Sequence, residues 1–290
     1  MKIKMKELTE KIEKKLDEYV PVTYPEEIFK SMRYSLLAGG KRLRPVMCLE
    51  ACKVFGGDPE KAMPTACAFE MLHTQSLIHD DLPCIDNDDY RRGQLTNHKK
   101  FSESTAVLAG DALISFGTQL IIEKSELPAE TVVKVLREHA IAAGAYGIIA
   151  GQIVDIEMEG KPYDAEVLEY IHTHKTADLF KGVLRAGAII AGASEQQIQS
   201  MDDFGQKLGF AFQICDDILD EISTFEEMGK TLGKDKLEGK LTYTALFGLE
   251  KSKCKVNCLL DEAYDILKEQ GIISEVFEEI INSIREKVNR

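Results

Sequence analysis

An all-α bundle is the fold this sequence predicts, on three observations. Apolar residues recur at three- and four-residue steps through much of the 290-residue chain, the pattern of helices with one buried face. Polar residues that look chemical, such as Gln213, Asp216 and Asp220, also fall at helical spacing. No Ser/Gly-rich, Pro-rich or low-complexity tract marks a linker and no internal repeat is visible, so one domain over residues 1–290 is the simpler organisation.

In chain order, Met5, Leu8, Ile12, Leu16 and Tyr19 describe a first amphipathic helix. Pro21 and Pro25 interrupt it, and Ile28 to Leu37 resumes the pattern. Gly39-Gly40 ends that second helix, and Pro45 suits the first turn of the next. Lys41 and Arg44 therefore fall in a junction near a helix N-terminus, where backbone N–H groups favour anions. Taken alone, K-R-x-R is a surface patch. Glu60 to Asp81 reads as one long helix that stops or distorts near Pro83. Helical periodicity returns from Thr105, with Gly110-Asp111 inside it. Gly144, Gly147 and Gly151 recur in the next apolar helix, where they permit close packing; they are no phosphate loop, because no strand precedes them. Gln152 and Asp155 either line a cavity or make structural hydrogen bonds. His172, His174 and Lys175-Thr176 open a further helix, and the histidines lack zinc spacing and read as incidental. The Gly- and Lys-rich run from Glu226 to Tyr243 reads as a solvated loop, and the remainder to Arg290 as structural helices.

Against this background the stretch from His73 to Gly93 stands apart, H-T-Q-S-L-I-H-D-D-L-P-C-I-D-N-D-D-Y-R-R-G. It holds Asp80, Asp81, Asp86, Asp88 and Asp89, then Arg91 and Arg92. Carboxylates this dense repel one another. A charged loop is the bland account, but a second cluster, Asp216-Asp217-Ile218-Leu219-Asp220, points to a hard divalent cation. Mg2+ takes oxygen ligands and completes its shell with waters or substrate phosphates. On a helix Asp216 and Asp220 share a face with Gln213 one turn earlier, while Ile214, Ile218 and Leu219 anchor that helix in a core. Asp80 and Asp86 are ~120° out of line on a regular helix, so Asp86 has to return from the irregular segment after Pro83. His73 faces the same way as Asp80, about 10 Å deeper along the axis.

Composition removes several classes of function. A formal net charge of -13 speaks against nucleic acid, which needs a concentrated basic surface. Diphosphates remain open, since a cation and a few Lys and Arg meet them locally. The seven cysteines are an odd number without a C-x-x-C, which disfavours a disulfide framework or zinc site and suits a reducing compartment, here the cytoplasm. The Met1-to-Lys6 stretch has charge but no apolar core behind it and is not a secretory signal. The most apolar segments, Ile141 to Gly151 and Gly182 to Ala193, are too short to span a membrane.

Three motifs in order carry a resemblance: Gly39-Gly40-Lys41-Arg42-Leu43-Arg44-Pro45, then Asp80-Asp81 and Asp86 with Arg91-Arg92-Gly93, then Asp216-Asp217-Ile218-Leu219-Asp220. From about Tyr24 to Tyr243 the chain resembles the trans-prenyltransferases, the farnesyl and geranylgeranyl diphosphate synthases, and is most similar to the bacterial farnesyl type. The resemblance implies an isoprenoid-synthase-type helical bundle around a central cavity, active as a homodimer. It implies Mg2+, three ions with bound diphosphate, on Asp80, Asp81, Asp86, Asp216, Asp217 and Asp220. Lys41, Arg44, His73 and Arg92 would hold isopentenyl diphosphate, and Arg91 the allylic diphosphate. Lys175, Thr176, Gln213, Lys230 and Lys240 would act at the leaving group and the developing cation, with the loop carrying Lys230 and Lys240 closing as a lid. Gln75 and Ser76 would line the cavity for the growing tail. Relatives that stop at fifteen carbons often carry a large aromatic there, and Gln75 departs from that. Asp178 departs from a small residue and would pair with Lys175 or alter the wall. The expected reaction is farnesyl diphosphate synthesis from dimethylallyl or geranyl diphosphate, with geranylgeranyl diphosphate synthesis as the alternative. A terpene cyclase would lack the second Asp cluster and the basic Gly39-to-Pro45 motif. A non-catalytic partner subunit is the reading from another class, disfavoured because every Asp, Lys and Arg of the motifs is present.

Overall fold

A computed structural model describes residues 3–162, 164–222 and 242–289. Among them the architecture is helical: α1 (Ile3–Tyr19), α2 (Glu26–Leu36), α3 (Leu43–Val54), α4 (Pro59–Asp80), a short α5 (Asn97–Lys100), α6 (Glu103–Lys124), α7 (Ala129–Ala143), α8 (Ile148–Met158), α9 (Ala165–His172), α10 (Asp178–Ile190), α11 (Glu195–Ile222), a short α12 (Tyr243–Phe247), α13 (Leu249–Glu269) and α14 (Glu275–Val288). The long helices α3, α4, α10 and α11 form the middle of the bundle; α6 packs on α4, and α13 on α11. The buried apolar side chains form one contiguous cluster. Phe69, Phe180, Phe204 and Phe277 lie wholly inside it, each contributing roughly 1.5–3 kcal/mol by leaving water.

Local chemistry sets the ends of α4. Asp58 accepts the Glu60 N–H at 3.0 Å and Pro59 takes the first helical position, where a missing N–H costs nothing. The helix stops at Asp80, three residues before Pro83, as the sequence predicts. Where α10 crosses α3, Gly187 sits so close to the backbone at Cys48 that a Cβ would overlap it.

Three features differ from the sequence reading. Gly144 and Gly147 do not lie within one helix but end α7 and start α8; at either position a Cβ would press on the preceding turn's carbonyls. His172 to Thr176 do not open a helix. They lie where α9 runs on into α10 through a π-turn, Thr173–Ala177. A two-residue ladder, β1 (Tyr90–Arg91) with β2 (Gln94–Leu95), interrupts the all-α pattern, pairing Tyr90 with Leu95 and Arg91 with Gln94. Its turn is Arg92-Gly93 at φ 54 and 75, the left-handed pair a two-residue hairpin demands.

Two stretches, Glu103–Lys124 and Ala129–Met158, are long and apolar enough to cross a membrane by length and composition alone. The second is broken between α7 and α8. In the first, Ala106, Ala109, Gly110, Leu113, Gly117, Leu120 and Ile121 are buried in the bundle, while Val107, Leu108 and Ile122 are exposed.

Candidate active site

A cavity of about 340 Å³ opens among α3, α4, α8, α9, the π-turn Thr173–Ala177 and α11, and residues of both Asp clusters line it. Its polar wall includes Arg44, His73, Asp80, Asp86, Arg91, Asp155, His172, Lys175, Thr176, Gln213, Asp216 and Asp217; Leu77, Ile148, Leu168, Ile171 and Phe212 supply the apolar part.

The six-residue spacing of the first cluster has a backbone explanation. After α4 the chain turns on itself: Ile85 and Asn87 N–H both bond Leu82 O, and Asp86 N–H bonds Asp80 O at 2.8 Å. Asn87 takes the left-handed conformation, which asparagine tolerates better than most residues. Asp86 thus comes back beside Asp80. Burial raises the Asp80 carboxyl above its ordinary range and Asp86 adds to this, while Lys175 opposes it. That strain is what a bound cation relieves.

Asp81 departs from expectation. One residue on from Asp80, it points about 100° away around the helix. It is buried outside the cavity wall and accepts from Arg91 Nε and Nη2 at 2.6 Å. Burial pushes its carboxyl up to about 6 despite that pairing. Asp81 therefore aims Arg91, assisted by Asp88 at 3.4 Å, and does not offer oxygens to the cavity. Asp220, one turn beyond Asp216, is also absent from the described wall.

The basic motif before α3 divides in the same way. Arg42, at φ 48, is wholly structural: its guanidinium meets Glu13, Glu70 and Leu36 O, each at 2.6 Å. Arg44 lies on the cavity wall, over the Phe180 ring at 5.1 Å, a favourable cation–π placement. Burial, then Arg92, bring Arg44 down to about 10, so it stays charged. Next to it His73 is held well below its ordinary value, first by burial and then by the neighbouring arginines, and is neutral. Arg44 Nε and His73 Nδ1 are buried without a hydrogen-bond partner among the described residues, which fits an anion at this end of the cavity. Arg92 and Lys41 stand outside the wall. Arg92 packs on the Gly39-Gly40 turn, its Nη1 donating to Gly39 O; a Cβ on Gly40, at φ 137, would approach the guanidinium to 3.1 Å. Lys41 lines a separate surface cleft with Lys287, and burial, then Lys287, bring it down to about 8.

On the opposite wall the π-turn is gripped from both sides, with Gly151 of α8 against the Lys175 backbone and Gly209 of α11 against Ala177. Lys175 donates to Asp155 at 2.6 Å; Asp155, Asp80 and Asp86 together outweigh burial and raise its pKa. Thr176 donates to Gln213 Oε1 at 2.7 Å. Asp178 neither pairs with Lys175 nor faces the cavity. Its partners are His174 at 2.6 Å and Lys181 at 3.2 Å.

His172, read as incidental, lies in the wall, and so does Thr242 from the end of the run read as a solvated loop. Helical spacing carried the signal for His172, which stands three and four residues before Lys175 and Thr176. Gln152 and Asp155, left open between two roles, line the cavity. Lys230 and Lys240 lie outside the described residues. Ser76 lines both the cavity and an adjoining groove of about 230 Å³, while Gln75 lines the groove alone with His79, Ile85, Ile149, Ile153 and Ile156. There Gln75 meets His79 Nδ1 at 2.9 Å, and His79 Nε2 meets Val107 O at 3.2 Å.

Among the described residues no three His, Cys, Asp or Glu side chains converge to enclose an ion. Mg2+ does not need that enclosure, since one or two carboxylates suffice when waters and phosphates fill the shell. Asp80, Asp86 and Asp216 fit that donor set, with Arg44, Arg91 and Lys175 around them to meet phosphate charge.

The comparisons agree with this geometry. The chain is 47% identical over 88% of its length to a dimethylallyltranstransferase of Fischerella ambigua, covering 74% of that protein. It is 49% identical over 87% of its length to the chloroplastic geranylgeranyl pyrophosphate synthase 7 of Arabidopsis thaliana, again covering 74%. A Helicobacter pylori geranyltransferase, solved with magnesium and isoprenyl diphosphate, superposes with a TM-score of 0.85 at 31% identity, covering 98% of this chain and 96% of that one. A family model of polyprenyl synthetases matches residues 25–282. An Mg2+-dependent prenyl transfer on isoprenyl diphosphates is thus the chemistry of a helical bundle whose two aspartate clusters face one cavity, and this chain belongs to the polyprenyl synthetase family.

Proposed function

We propose that this prenyltransferase builds a twenty-carbon allylic diphosphate from isopentenyl diphosphate and shorter allylic starters. The carrying observation is the groove: from the cavity an apolar channel continues past Ser76 between α4 and α8, lined by Ile148, Ile149, Ile153 and Ile156. The Arabidopsis relative named a geranylgeranyl pyrophosphate synthase supports this reading. A fifteen-carbon product is the second reading, favoured by the Gln75–His79 pair along the groove wall.

In this reading Arg44 and His73 hold the diphosphate of isopentenyl diphosphate, with Lys41 and Arg92 beside them. Arg91 and Lys175 hold the allylic diphosphate, and Asp80, Asp86 and Asp216 provide oxygens for Mg2+, three ions in all. The metal, when bound, neutralises charge on the leaving diphosphate. As the allylic carbon–oxygen bond breaks, its electron pair leaves with the diphosphate; Arg91 and Lys175, already in place, meet the charge without reorganisation. Thr176 and Gln213 face the electron-poor carbon. The isopentenyl double bond attacks it, forming one carbon–carbon bond, and transfer of a proton to the released diphosphate closes the new trans double bond. Leu77, Ile148, Leu168, Ile171 and Phe212 keep water from the cation.

Two copies form the working enzyme, an assignment supported by the exposed apolar residues Leu108, Ile122, Val133, Ile149 and Ile153 on α6 to α8; sedimentation at micromolar concentration tests it. The free cysteines, including exposed Cys84, Cys254 and Cys258, suit the reducing cytoplasm.

The function is tested by incubating the chain with isopentenyl diphosphate, dimethylallyl diphosphate and Mg2+, with a chelator control, and sizing the dephosphorylated alcohols. A dominant twenty-carbon alcohol supports the proposal, and Ser76→Phe should then shorten it to fifteen. A fifteen-carbon product from the unaltered chain refutes the chain-length reading.

A further inference from the structure

The second aspartate cluster contains a carboxylate that the protein itself engages on both oxygens. Asp217 Oδ1 accepts from Gln213 Nε2 at 3.2 Å, and Oδ2 accepts the backbone N–H of Tyr243 at 2.8 Å. His172 Nε2 lies 3.4 Å from the same Oδ2. Asp217 and His172 are both buried, and burial takes the imidazole down to about 3. Asp216, one residue earlier, is half-buried in the cavity wall.

These bonds have a direction. An ionised carboxylate only accepts, so Gln213 must turn its amide nitrogen toward Asp217 and its carbonyl toward Thr176. Thr176 then commits its single hydroxyl proton to Gln213 Oε1, at 2.7 Å. What its oxygen has left for the cavity is lone pairs. We propose that Asp217 is a positioning residue rather than a metal ligand: through Gln213 it fixes Thr176 as an acceptor facing the electron-poor carbon, and through Tyr243 N–H it seats Thr242 in the cavity wall. Without that anion the Gln213 amide is free to turn over, and the Thr176 hydroxyl to point its proton at a developing positive charge. The inference rests on the reading of Asp216 as a metal ligand only for its contrast, not for its chain of hydrogen bonds.

The test compares Asp217→Asn with Asp216→Asn, Thr176→Val, Gln213→Leu and the Asp217→Asn/Thr176→Val double variant, by steady-state kinetics across an Mg2+ titration. Asp216→Asn should raise the Mg2+ half-saturation at least ~10-fold, the size expected when metal-site support is lost. Asp217→Asn should leave it within ~2-fold while lowering kcat about 10–100-fold, the range for a supporting partner of a site. Substrate KM values should move less than that. Because residues acting through one another are non-additive, the double variant should be no slower than Thr176→Val alone. Gln213→Leu, which cuts the link without touching the carboxylate, should reproduce the kcat loss, so the inference stands or falls even if Asp217→Asn does not fold. It is overturned if Asp217→Asn shifts the Mg2+ requirement as Asp216→Asn does, or if the losses at 217 and 176 multiply. If Asp216→Asn leaves the Mg2+ requirement unchanged, the metal reading fails, while the 217/176 cycle still decides this one.

Discussion

Glu70→Ala is the substitution whose consequence follows most directly from the geometry. The Arg42 side chain is 0% exposed and its partner Glu70 only 2%. Together with Glu13 and Leu36 O they tie α1, α2 and α4 to the N-terminus of α3, two residues before Arg44. Burial works against the guanidinium, yet Glu70 and Glu13 outweigh it and raise its pKa, so Arg42 remains charged when Glu70 is cut away. Removing one partner of a buried pair costs about 3–5 kcal/mol, because the other charge stays in a medium that solvates it poorly. At about 2.1 cal/mol/K of unfolding entropy per residue, a chain of this size loses ~1.6 °C of Tm per kcal/mol, so a fall of roughly 5–8 °C is expected. Calorimetry reads it directly. The double variant Arg42→Met/Glu70→Leu, which removes both charges, should recover most of the loss, as replaced buried pairs commonly do. Because Arg44 sits on the displaced turn, Glu70→Ala should also raise the KM for isopentenyl diphosphate more than that for the allylic substrate. A destabilisation below ~1 kcal/mol, or a double variant as unstable as the single one, would refute the account, since a surface pair is worth no more than that.

Other expectations follow from the same structure. His139 is buried and held down to about 4 by desolvation, below its unfolded value near 6.5. Stability is therefore fully present above pH ~6.5 and is lost as pH falls toward 4, by up to about 3 kcal/mol; urea midpoints across that window should show the slope, and His139→Gln should make it shallower, His73 and His172 keeping their own share. Asp80→Asn removes one of two neighbouring half-buried carboxylates. Its Tm without Mg2+ should hold or rise, whereas turnover should fall at least ~100-fold with the loss of positioned charge at the leaving group. Gly151→Ala inserts a methyl where the Lys175 backbone lies; a displacement near 1 Å at a catalytic group costs about 100-fold, so kcat should collapse while the far-UV spectrum stays helical.

The clusters and their partners were readable in different degrees, for identifiable reasons. Asp80 and Asp86 could be paired from the sequence because Pro83 announces where the helix stops. Asp81 was legible too, since neighbours on a helix diverge by about 100°, yet a run of aspartates invites reading all of them as ligands. Lys41 and Arg92 are harder. Their directions are set by the left-handed backbone at Gly39, Gly40, Arg42 and Arg92, and no periodicity encodes that. The hairpin of Tyr90 to Leu95 is too short for alternation to register, although Arg92-Gly93 is a usable turn signal. For Asp178 the sequence left open a pairing with Lys175 or a change in the wall, whereas its partners are His174 and Lys181, four before and three after it on the same helical face. Ser76 could be placed one turn from Asp80, but the groove behind it depends on how α8 packs against α4, which is long-range packing that no local pattern contains.

The return from Asp80 to Asp86 means that the separation of these two carboxylates is measured by a covalent turn and not by helical pitch. Its four backbone bonds, Ile85 and Asn87 to Leu82, Asp86 to Asp80 and Asp88 to Asp81, make the loop a spacer of defined length grafted onto a helix end. Deleting Pro83 and Cys84 would remove the helix stop and leave Asp80 and Asp86 four positions apart, the same interval as Asp216 and Asp220. At that interval Asp220 does not join Asp216 in the cavity wall, whereas the longer loop brings Asp86 back beside Asp80 in it.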